Sequence, residues 1–216
     1  MLDKHLVPIV KPPLKKIAGV LLRAGVTADQ VSLAGFALGM LGVVMVATGN
    51  YTVALILLLL NRIADGLDGE VARLKLQTDA GGFLDITLDF IFYASFPLGF
   101  AFANPASNAL PAAILVASFV GTGASFLAFS SMAEKRNIQH PDFAYKSFYY
   151  LNGLAEGSET IICFVLMCLL PTYFPLIAGV FAFICVLTTI NRVVFGYKTL
   201  KAGETMTDNR QGATDV

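Results

Sequence analysis

The sequence contains few charged residues, no net charge, and little cysteine or histidine. Of its 216 residues 14% are charged and 56% are hydrophobic, whereas a soluble protein has about 25% charged residues, so a water-soluble globule is excluded. The 15 basic residues balance the 15 acidic ones, which argues against nucleic acid as a partner because such a partner requires a basic surface. Cys163, Cys168 and Cys185 lie in apolar runs without metal-ligand or disulfide spacing. His5 and His140 likewise lack partners at such a spacing.

What the sequence does contain is a series of long apolar stretches. A helix needs about 20 mainly apolar residues to cross the ~30 Å hydrocarbon core of a bilayer. Six stretches approach or exceed this length, namely Ser32–Thr48, Val53–Leu74, Gly81–Ala103, Leu110–Met132, Gly157–Tyr173 and Pro175–Phe195. The sequence therefore predicts an all-α integral membrane protein with six transmembrane helices and an N-terminal cytoplasmic amphipathic helix.

The basic residues indicate how these spans are oriented. All of them fall on one side of the six predicted helices, whereas the opposite loops, near Asn50, Pro105–Asn108 and Pro171–Thr172, carry no charge. Because basic loops stay on the cytoplasmic side, both termini are expected to be cytoplasmic. No uninterrupted apolar run precedes the first span, so a cleaved signal peptide is not expected.

An amphipathic pattern comes before the first predicted span. In Leu14–Leu22 apolar residues recur at helical spacing beside basic residues, which is typical of a helix at an anionic membrane surface. The alternative is a basic anchor without a role in the reaction. Thr27 is placed to cap the next helix. We expect residues 1–31 to form this cytoplasmic, interfacial segment, residues 32–198 the six-helix transmembrane catalytic domain, and residues 199–216 a polar tail.

Four carboxylates interrupt the second and third predicted spans. Asp65 and Asp68 are three positions apart and Asp85 and Asp89 are four apart, so each pair shares one helix face. A carboxylate at the centre of a span costs roughly 2.5–3.5 kcal/mol, and four that converge cannot all stay ionised unless cations neutralise them. An all-oxygen set suits Mg²⁺, Mn²⁺ or Ca²⁺. Two ions bridged by shared carboxylates are the simplest arrangement.

Small and basic residues accompany the aspartates. Three small residues on the same helix faces leave room for a bulky ligand: Gly69, Ala72 and Gly81. Arg73 follows at the membrane edge with a guanidinium group suited to phosphate. A metal site, a phosphate-binding arginine and small residues together predict chemistry on a diphosphate or phosphodiester.

The spacing of these residues matches a known signature. The pattern is Asp65-x2-Asp68-Gly69-x2-Ala72-Arg73-x7-Gly81-x3-Asp85-x3-Asp89. It resembles the signature of the CDP-alcohol phosphotransferase (CDP-alcohol phosphatidyltransferase) family at every fixed position. Gly25-Val26-Thr27 is similar to the family's turn into the first span, and the resemblance covers most of the chain. It implies a six-helix membrane protein, usually a homodimer, that transfers a phospho-alcohol group from a CDP-linked donor to a hydroxyl and releases CMP.

The resemblance also implies roles for individual residues. The family's Mg²⁺ or Mn²⁺ ions, expected to be two, are held by four aspartates, here Asp65, Asp68, Asp85 and Asp89. The last of them, Asp89, is the general base that deprotonates the acceptor. The residues that border the CDP group are Asp65, Asp68, Gly69, Ala72, Arg73 and Gly81. Because the simplest role is the attachment of phospholipid head groups, CDP-diacylglycerol is the expected donor. The expected partners are a polar alcohol and membrane lipids, and the expected location is the bacterial inner (plasma) membrane.

The acceptor is left open by the sequence. The stretch Leu84–Phe90 lacks the proline and lysine of phosphatidylglycerophosphate synthases, and Phe90–Tyr93 lacks the basic residues of inositol-phosphate synthases. Serine, choline, glycerol phosphate and other polyols are compatible. Lys146 and Glu156 are weak candidates for the acceptor pocket. The alternatives are a soluble CDP-alcohol that donates to a lipid hydroxyl, a cation transporter built on the aspartates, and an inactive scaffold.

Two further patterns have a functional and a structural interpretation. Asn61 and Arg62 lie one turn before Asp65 and are placed to orient the metal ligands, with packing or snorkelling as the alternative. A stripe of small residues on the first span, Gly35, Gly39 and Gly42, favours helix packing over substrate contact. The sequence does not tell whether that packing lies within or between protomers.

Overall fold

The computed structural model describes residues 3–136, 155 and 157–211, with side chains for 11–136, 155 and 157–202. This part of the chain contains helices and turns and no β-strand. The α-helices are α1 (Asp3–Arg23), α2 (Ala28–Ala47), α3 (Tyr51–Lys75), α4 (Asp79–Ala103), α5 (Pro105–Lys135), α6 (Gly157–Leu169) and α7 (Phe174–Gln211), with a 3-10 helix at Pro171–Tyr173. The all-α class predicted from the sequence is confirmed.

Several of these helices have the length and composition of membrane spans. Among the described residues, four segments qualify: α2, α4, α5 and Pro171–Ala202. In addition, α3 carries Arg62 at its middle and Asp65 and Asp68 in its second half, and α6 is apolar but only 13 residues long. Many large apolar side chains are exposed, among them Phe83, Phe102 and Leu110, as is expected of helices in contact with lipid. The six-span topology, which requires α3 and α6 to cross as well, and the cytoplasmic side of the termini stay predictions.

The helix boundaries differ from the predicted spans at several points. Helix α2 begins four residues earlier than expected because Thr27 caps it: Thr27 Oγ1 accepts from the Gln30 N–H (3.3 Å), and Gln30 Oε1 accepts from the Thr27 N–H (3.0 Å). The capping role predicted for Thr27 is confirmed. The fifth predicted span is divided, since α6 ends at Leu169 and Pro171 opens the 3-10 helix. Helix α7 continues to Gln211, through most of the segment expected to be a polar tail.

The turn between α1 and α2 depends on a glycine. Gly25 has a φ angle of 79°, a left-handed conformation that disfavours residues with a Cβ. The Val26 N–H donates to the Leu21 carbonyl and the Gly25 N–H to the Leu22 carbonyl, both at 3.0 Å, which is the Schellman arrangement at a helix end. The three-residue connection Gly25-Val26-Thr27 thus ends one helix and caps the next.

Helix α1 packs against α3 along one face. Ala18 is fully buried, and Leu14 lies over Gly66, where an added Cβ would be 2.8 Å from Leu14 Cδ1. Ile17 and Val20 are exposed, and basic residues flank them. This distribution agrees with an amphipathic helix, whereas its position at the membrane surface stays a prediction.

The chain divides into two compact units. The first comprises Met1–Val116 and Gly157–Val180, and the second comprises Ala117–Glu156 and Phe181–Val216. In the second unit the Arg192 guanidinium donates to the Thr122 carbonyl (3.1 Å) and lies over the Phe126 ring, 5.5 Å from its centroid. These contacts join the C-terminal part of α5 to the C-terminal part of α7.

The first unit is built around α2 and a column of aromatic rings. Helices α3 and α4 both pack against α2, and α6 packs against α3. Phe92, Phe96 and Phe100 recur every fourth residue on α4 and are fully buried. Phe96 stacks on Phe164 of α6 and Phe100 on Phe174 of α7, each pair with ring centroids 4.5 Å apart. The buried rings fix the rotation of α4 about its axis. They thereby also fix the direction of its aspartates, which lie in the turns just before Phe92.

The small-residue stripe of α2 brings α3 and α4 close to its backbone. A Cβ added at Gly35 would lie 2.7 Å from Ala64 Cβ, and one added at Gly39 would lie 2.8 Å from Phe92 Cδ2 and 3.0 Å from Asn61 Nδ2. Real Cβ atoms do not approach other atoms so closely. The interpretation of this stripe as helix packing is therefore correct at both positions, and the packing lies within one chain.

A substitution at Gly39 tests this packing. We expect Gly39→Ala to lower the free energy of unfolding by roughly 1–3 kcal/mol, because the fully buried Phe92 ring must shift to admit the methyl group. Gly179→Ala on α7 is the matched control, since a Cβ there meets nothing within 4 Å. Thermal unfolding of the purified protein in detergent measures both. Equal unfolding temperatures for the two variants would contradict the packing described here.

Candidate active site

Three of the four predicted aspartates converge in the first unit. Asp65 comes from α3, and Asp85 and Asp89 come from successive turns of α4. One carboxylate oxygen of each lies within 4.8 Å of the others. Both helices pack on α2, and these side chains meet in the space left between them. The helix periodicity that predicted shared faces accounts for this convergence.

Asp68 is not part of this three-carboxylate cluster. Its Oδ2 accepts a hydrogen bond from Ser32 Oγ of α2 at 2.6 Å, and Asp68 is buried. It nevertheless lines the same small cavity as the other three aspartates, together with Ser32. Asp68 therefore lies at the edge of the cluster, held by a neighbour that the sequence analysis did not single out.

The cluster has the composition of a site for a hard divalent cation. All of its donors are carboxylate oxygens, the ligand type that Mg²⁺, Mn²⁺ and Ca²⁺ prefer. Among the described residues one cation, Arg62, lies within ion-pair distance of the cluster, where it contacts Asp89 at 2.9 Å and Asp65 at 3.8 Å. One positive charge does not balance three carboxylates, so the residues present fit a bound metal ion.

A larger cavity of about 550 Å³ lies next to the cluster. The first residues of α2 and α4 and the last turns of α3 line it, and its walls are Thr27, Ala28, Asp29, Ser32, Asp68, Gly69, Val71, Ala72, Arg73, Lys75, Leu76, Gln77, Thr78, Gly81, Gly82 and Asp85. The volume is within the range of small-molecule sites. Five of the six residues predicted to border the CDP group line this cavity, and the sixth, Asp65, lines the small cavity beside it.

The predicted small residues keep this cavity open, and Arg73 is anchored at its wall. The Arg73 guanidinium is half exposed and pairs at 2.7 Å with Glu70, whose side chain is 4% exposed. A Cβ at Gly69 would lie 3.4 Å from Arg73 Nη2. A Cβ at Gly81 would lie 3.1 Å from Thr78 Oγ1, which caps α4, and 3.2 Å from Asp29 Oδ1. A side chain added at either glycine would therefore reduce the volume of the cavity.

Arg62 lies at the centre of a polar network beside the cluster. Its Nη2 donates to Asp89 Oδ1 (2.9 Å), its Nη1 donates to the Tyr93 hydroxyl (2.9 Å), and its Nε donates to Asn61 Oδ1 (2.8 Å). Asn61 Nδ2 in turn donates to the Gly35 carbonyl of α2 at 2.9 Å. The network connects three helices, which agrees with the orienting role considered for Asn61 and Arg62.

Sequence reasoning missed Ser32, Asp29 and Tyr93. Tyr93 lies four residues after Asp89 and so shares its helix face, a spacing that was available in the sequence. Ser32 lies one turn after the start of α2, but its contact with Asp68 spans 36 residues and has no local signal. Lys146 and Glu156, the candidates for the acceptor pocket, lie outside the described residues.

The protein is helical and has helices long and apolar enough to span a membrane. Its site is a carboxylate cluster suited to a metal ion, beside a larger cavity. The model of the CDP-alcohol phosphatidyltransferase family matches residues 25–191, and the chain belongs to this family. The family inferred from the aspartate signature is thereby confirmed.

Individual relatives agree with this membership. The chain is 52% identical over 202 residues to the inner membrane protein YnjF of Escherichia coli, covering 94% of this chain and 98% of that protein. It is 36% identical over 95 residues to the archaetidylinositol phosphate synthase of Pyrococcus horikoshii, covering 44% of this chain and 50% of that protein.

A solved structure shares the fold. The phosphatidylinositol phosphate synthase of Mycobacterium tuberculosis, crystallised with CDP-DAG bound, superposes with a TM-score of 0.63 at 20% identity, covering 85% of this chain and 93% of that one. Its complex with manganese and citrate gives a TM-score of 0.61, also at 20% identity, covering 85% and 88%. At this identity the likeness shows the fold.

Proposed function

We propose that this protein transfers the phosphatidyl group of CDP-diacylglycerol to the hydroxyl of a polar alcohol and releases CMP, as a step of phospholipid biosynthesis. The observation that carries the proposal is the cluster of Asp65, Asp85 and Asp89 directly beside a cavity of about 550 Å³. Family membership and the CDP-DAG bound to the mycobacterial neighbour support the choice of donor.

The cavity suits the diphosphate and nucleoside of the donor. Its wall includes Arg73, Lys75 and the first turns of α2 and α4, and the positive ends of helix dipoles favour anions. Glu70 fixes one edge of the Arg73 guanidinium, which leaves further N–H groups for phosphate oxygens. The outward-facing apolar side chains would let the acyl chains of the donor stay in the bilayer.

The aspartates would hold two divalent ions, Mg²⁺ or Mn²⁺, as the signature implies. Asp65, Asp85 and Asp89 already lie close enough to share an ion, and Asp68 lines the same cavity. When bound, such ions neutralise the diphosphate and stabilise the departing phosphate of CMP. The manganese complex of the mycobacterial neighbour supports the use of a divalent ion.

The chain itself supplies the base. Asp89 accepts the proton of the acceptor hydroxyl, whose oxygen forms a bond to the β-phosphorus of the CDP group. The bond between that phosphorus and the bridging oxygen breaks, and its electron pair leaves with CMP. Proton acceptance by a positioned carboxylate is general base catalysis. The new phosphodiester retains the diacylglycerol portion of the donor.

The acceptor we favour is a phosphorylated polyol of the inositol phosphate type, bound without the basic residues that inositol-phosphate synthases carry near the last aspartate and that Phe90–Tyr93 lacks. The names of the Pyrococcus synthase and of the mycobacterial neighbour support this choice. Lys146 and Glu156 stay proposed acceptor residues. The inner membrane relative from Escherichia coli supports a place in the bacterial inner membrane. The six spans and cytoplasmic termini are proposed from the apolar stretches and the basic residues of the sequence, and the homodimer from the family resemblance.

Replacement of Arg73 should mainly affect binding of the donor. We expect Arg73→Gln to raise the KM for CDP-diacylglycerol by about 10- to 100-fold, because one charge-assisted hydrogen bond to phosphate contributes about 1.5–3 kcal/mol. The matched control is Arg23→Gln at the exposed end of α1, where Arg23 contacts the Gly19 carbonyl of its own helix. Steady-state kinetics decide the matter. A KM for Arg73→Gln equal to that of the control would remove Arg73 from the donor site.

Release of CMP tests the proposed function. Purified protein in lipid is incubated with CDP-diacylglycerol and Mg²⁺ or Mn²⁺ across a panel of inositol phosphate, glycerol phosphate, glycerol, serine and choline. Metal-dependent CMP formation that one alcohol stimulates would support the transferase and identify the acceptor. CMP formation only from a soluble CDP-alcohol with a lipid acceptor would reverse the donor assignment. Uptake of divalent ions by proteoliposomes, without CMP formation from any donor, would favour a transporter.

A further inference from the structure

Arg62 is a partly buried cation that belongs to neither the family signature nor the cavity for the donor. Its side chain is 15% exposed, and its guanidinium carbon lies 5.0 Å from the Phe92 ring centroid and 5.2 Å from that of Tyr93. An arginine that merely snorkels would keep its charged group in water. The Arg62 guanidinium is instead enclosed by rings and polar partners.

Every nitrogen of the Arg62 guanidinium has a protein partner. The contacts to Asn61, Tyr93 and Asp89 are all between 2.8 and 2.9 Å, and Asn61 is itself fixed to the α2 backbone. These contacts take three of the five N–H groups and fix the orientation of the guanidinium. The residues that it contacts are therefore the first through which Arg62 can affect the reaction.

The contact with Arg62 makes the two oxygens of the Asp89 carboxylate different. Oδ1 accepts from Arg62 Nη2, whereas Oδ2 has no hydrogen bond to any of the described residues. A guanidinium group fixed at one oxygen restricts the rotation of the carboxylate, because rotation would lengthen this charge-assisted hydrogen bond. The other oxygen is then presented to the site in one orientation.

We infer that Arg62 is the positioning residue for Asp89: it binds Oδ1 and, supported by Asn61 and Tyr93, directs Oδ2 to the proton of the acceptor hydroxyl. The inference rests on the proposed function for the identity of that proton. The Arg62–Asp89 contact itself can be tested without turnover, so the two statements can fail separately.

Kinetics of Arg62 variants test the positioning role. We expect Arg62→Gln to lower kcat by about 100-fold, the effect of misplacing a catalytic group by about 1 Å, with the KM for CDP-diacylglycerol within about threefold of wild type. Arg62→Lys keeps the charge and should lose less, and methylguanidinium should restore part of the activity of Arg62→Ala while urea does not. A kcat of Arg62→Gln within about threefold of wild type would overturn the inference, as would a fall in kcat with an equal rise in KM.

A thermal double-mutant cycle tests the contact independently of activity. In metal-free buffer, Arg62→Gln should lower the unfolding temperature less in an Asp89→Ala background, where the acceptor oxygen is absent, than in wild type, because coupled residues are not additive. Additive shifts would overturn the inference. If Arg62→Gln does not fold, Tyr93→Phe replaces it in both assays, with a smaller fall in kcat expected and an unchanged kcat counting against the network. An inert wild type with a clear thermal coupling would refute the proposed reaction and leave the contact intact.

Discussion

Asp89→Asn should abolish turnover while the protein stays folded and still binds the CDP donor. The substitution preserves the volume of the side chain and an oxygen that can accept from Arg62 Nη2, but it removes the base. Loss of a general base costs about 100- to 10,000-fold in rate, and we expect a fall in kcat of at least about 100-fold. CMP release and binding of radiolabelled CDP-diacylglycerol measure the two properties separately.

The control for this variant is Asp79→Asn in the first turn of the same helix. Asp79 is exposed and lines neither cavity, so the same chemical change should leave kcat unaffected there. Substantial residual activity in Asp89→Asn, with the control at wild-type level, would exclude Asp89 as the base. Loss of donor binding in Asp89→Asn would instead show that its main role is in the site's assembly.

Asp65→Asn should weaken metal binding by at least about 10-fold, since loss of even an outer-shell partner of a metal site costs about 10- to 100-fold in affinity. Asp65 provides the contribution of α3 to the three-carboxylate cluster, and an amide oxygen there lacks the charge. Binding of Mn²⁺ followed by electron paramagnetic resonance measures the affinity without relying on turnover. A titration equal to wild type would refute the role of Asp65 as a ligand.

Asp68→Asn in the same titration resolves the position of the fourth aspartate. The family signature makes Asp68 a metal ligand, and we expect its replacement to weaken Mn²⁺ binding as well. In the structure, however, its Oδ2 is bound to Ser32 Oγ. If Asp65→Asn shifts the titration and Asp68→Asn does not, Asp68 acts by joining α3 to α2 and is not a ligand.

Local patterns in the sequence predicted much of this site. The spacing of Asp85 and Asp89 required a shared helix face, and α4 provides it. The motif placed Gly69, Arg73 and Gly81 beside one ligand, and all three line one cavity. Thr27 followed from the chemistry of helix caps. For Thr27 and for the two aspartates the relevant distance along the chain is only a few residues, so helix geometry was sufficient, whereas Gly69, Arg73 and Gly81 were placed together by the family signature.

Contacts between distant parts of the chain could not be predicted in this way. Arg62 contacts Asp89 across 27 residues and Tyr93 across 31. Gly39 packs so closely on Phe92 that an added Cβ would lie 2.8 Å from the ring. All three contacts depend on how α2, α3 and α4 pack together. The apolar patterns of the three helices indicate burial but do not select partners. The sequence therefore predicted which carboxylates come together and not the polar network beside them.

The most direct measurement of the central claim follows the phosphorus atom of the donor. CDP-diacylglycerol labelled at its β-phosphorus is supplied to the protein in proteoliposomes, with Mg²⁺ and the panel of alcohols. We predict that the label passes into one new phospholipid in amounts equal to the CMP released, and that a chelator or Asp89→Asn stops the transfer. Label that stays in the donor with every alcohol, or that appears as phosphatidic acid through hydrolysis, would contradict the assignment of this protein as a phosphatidyl transferase.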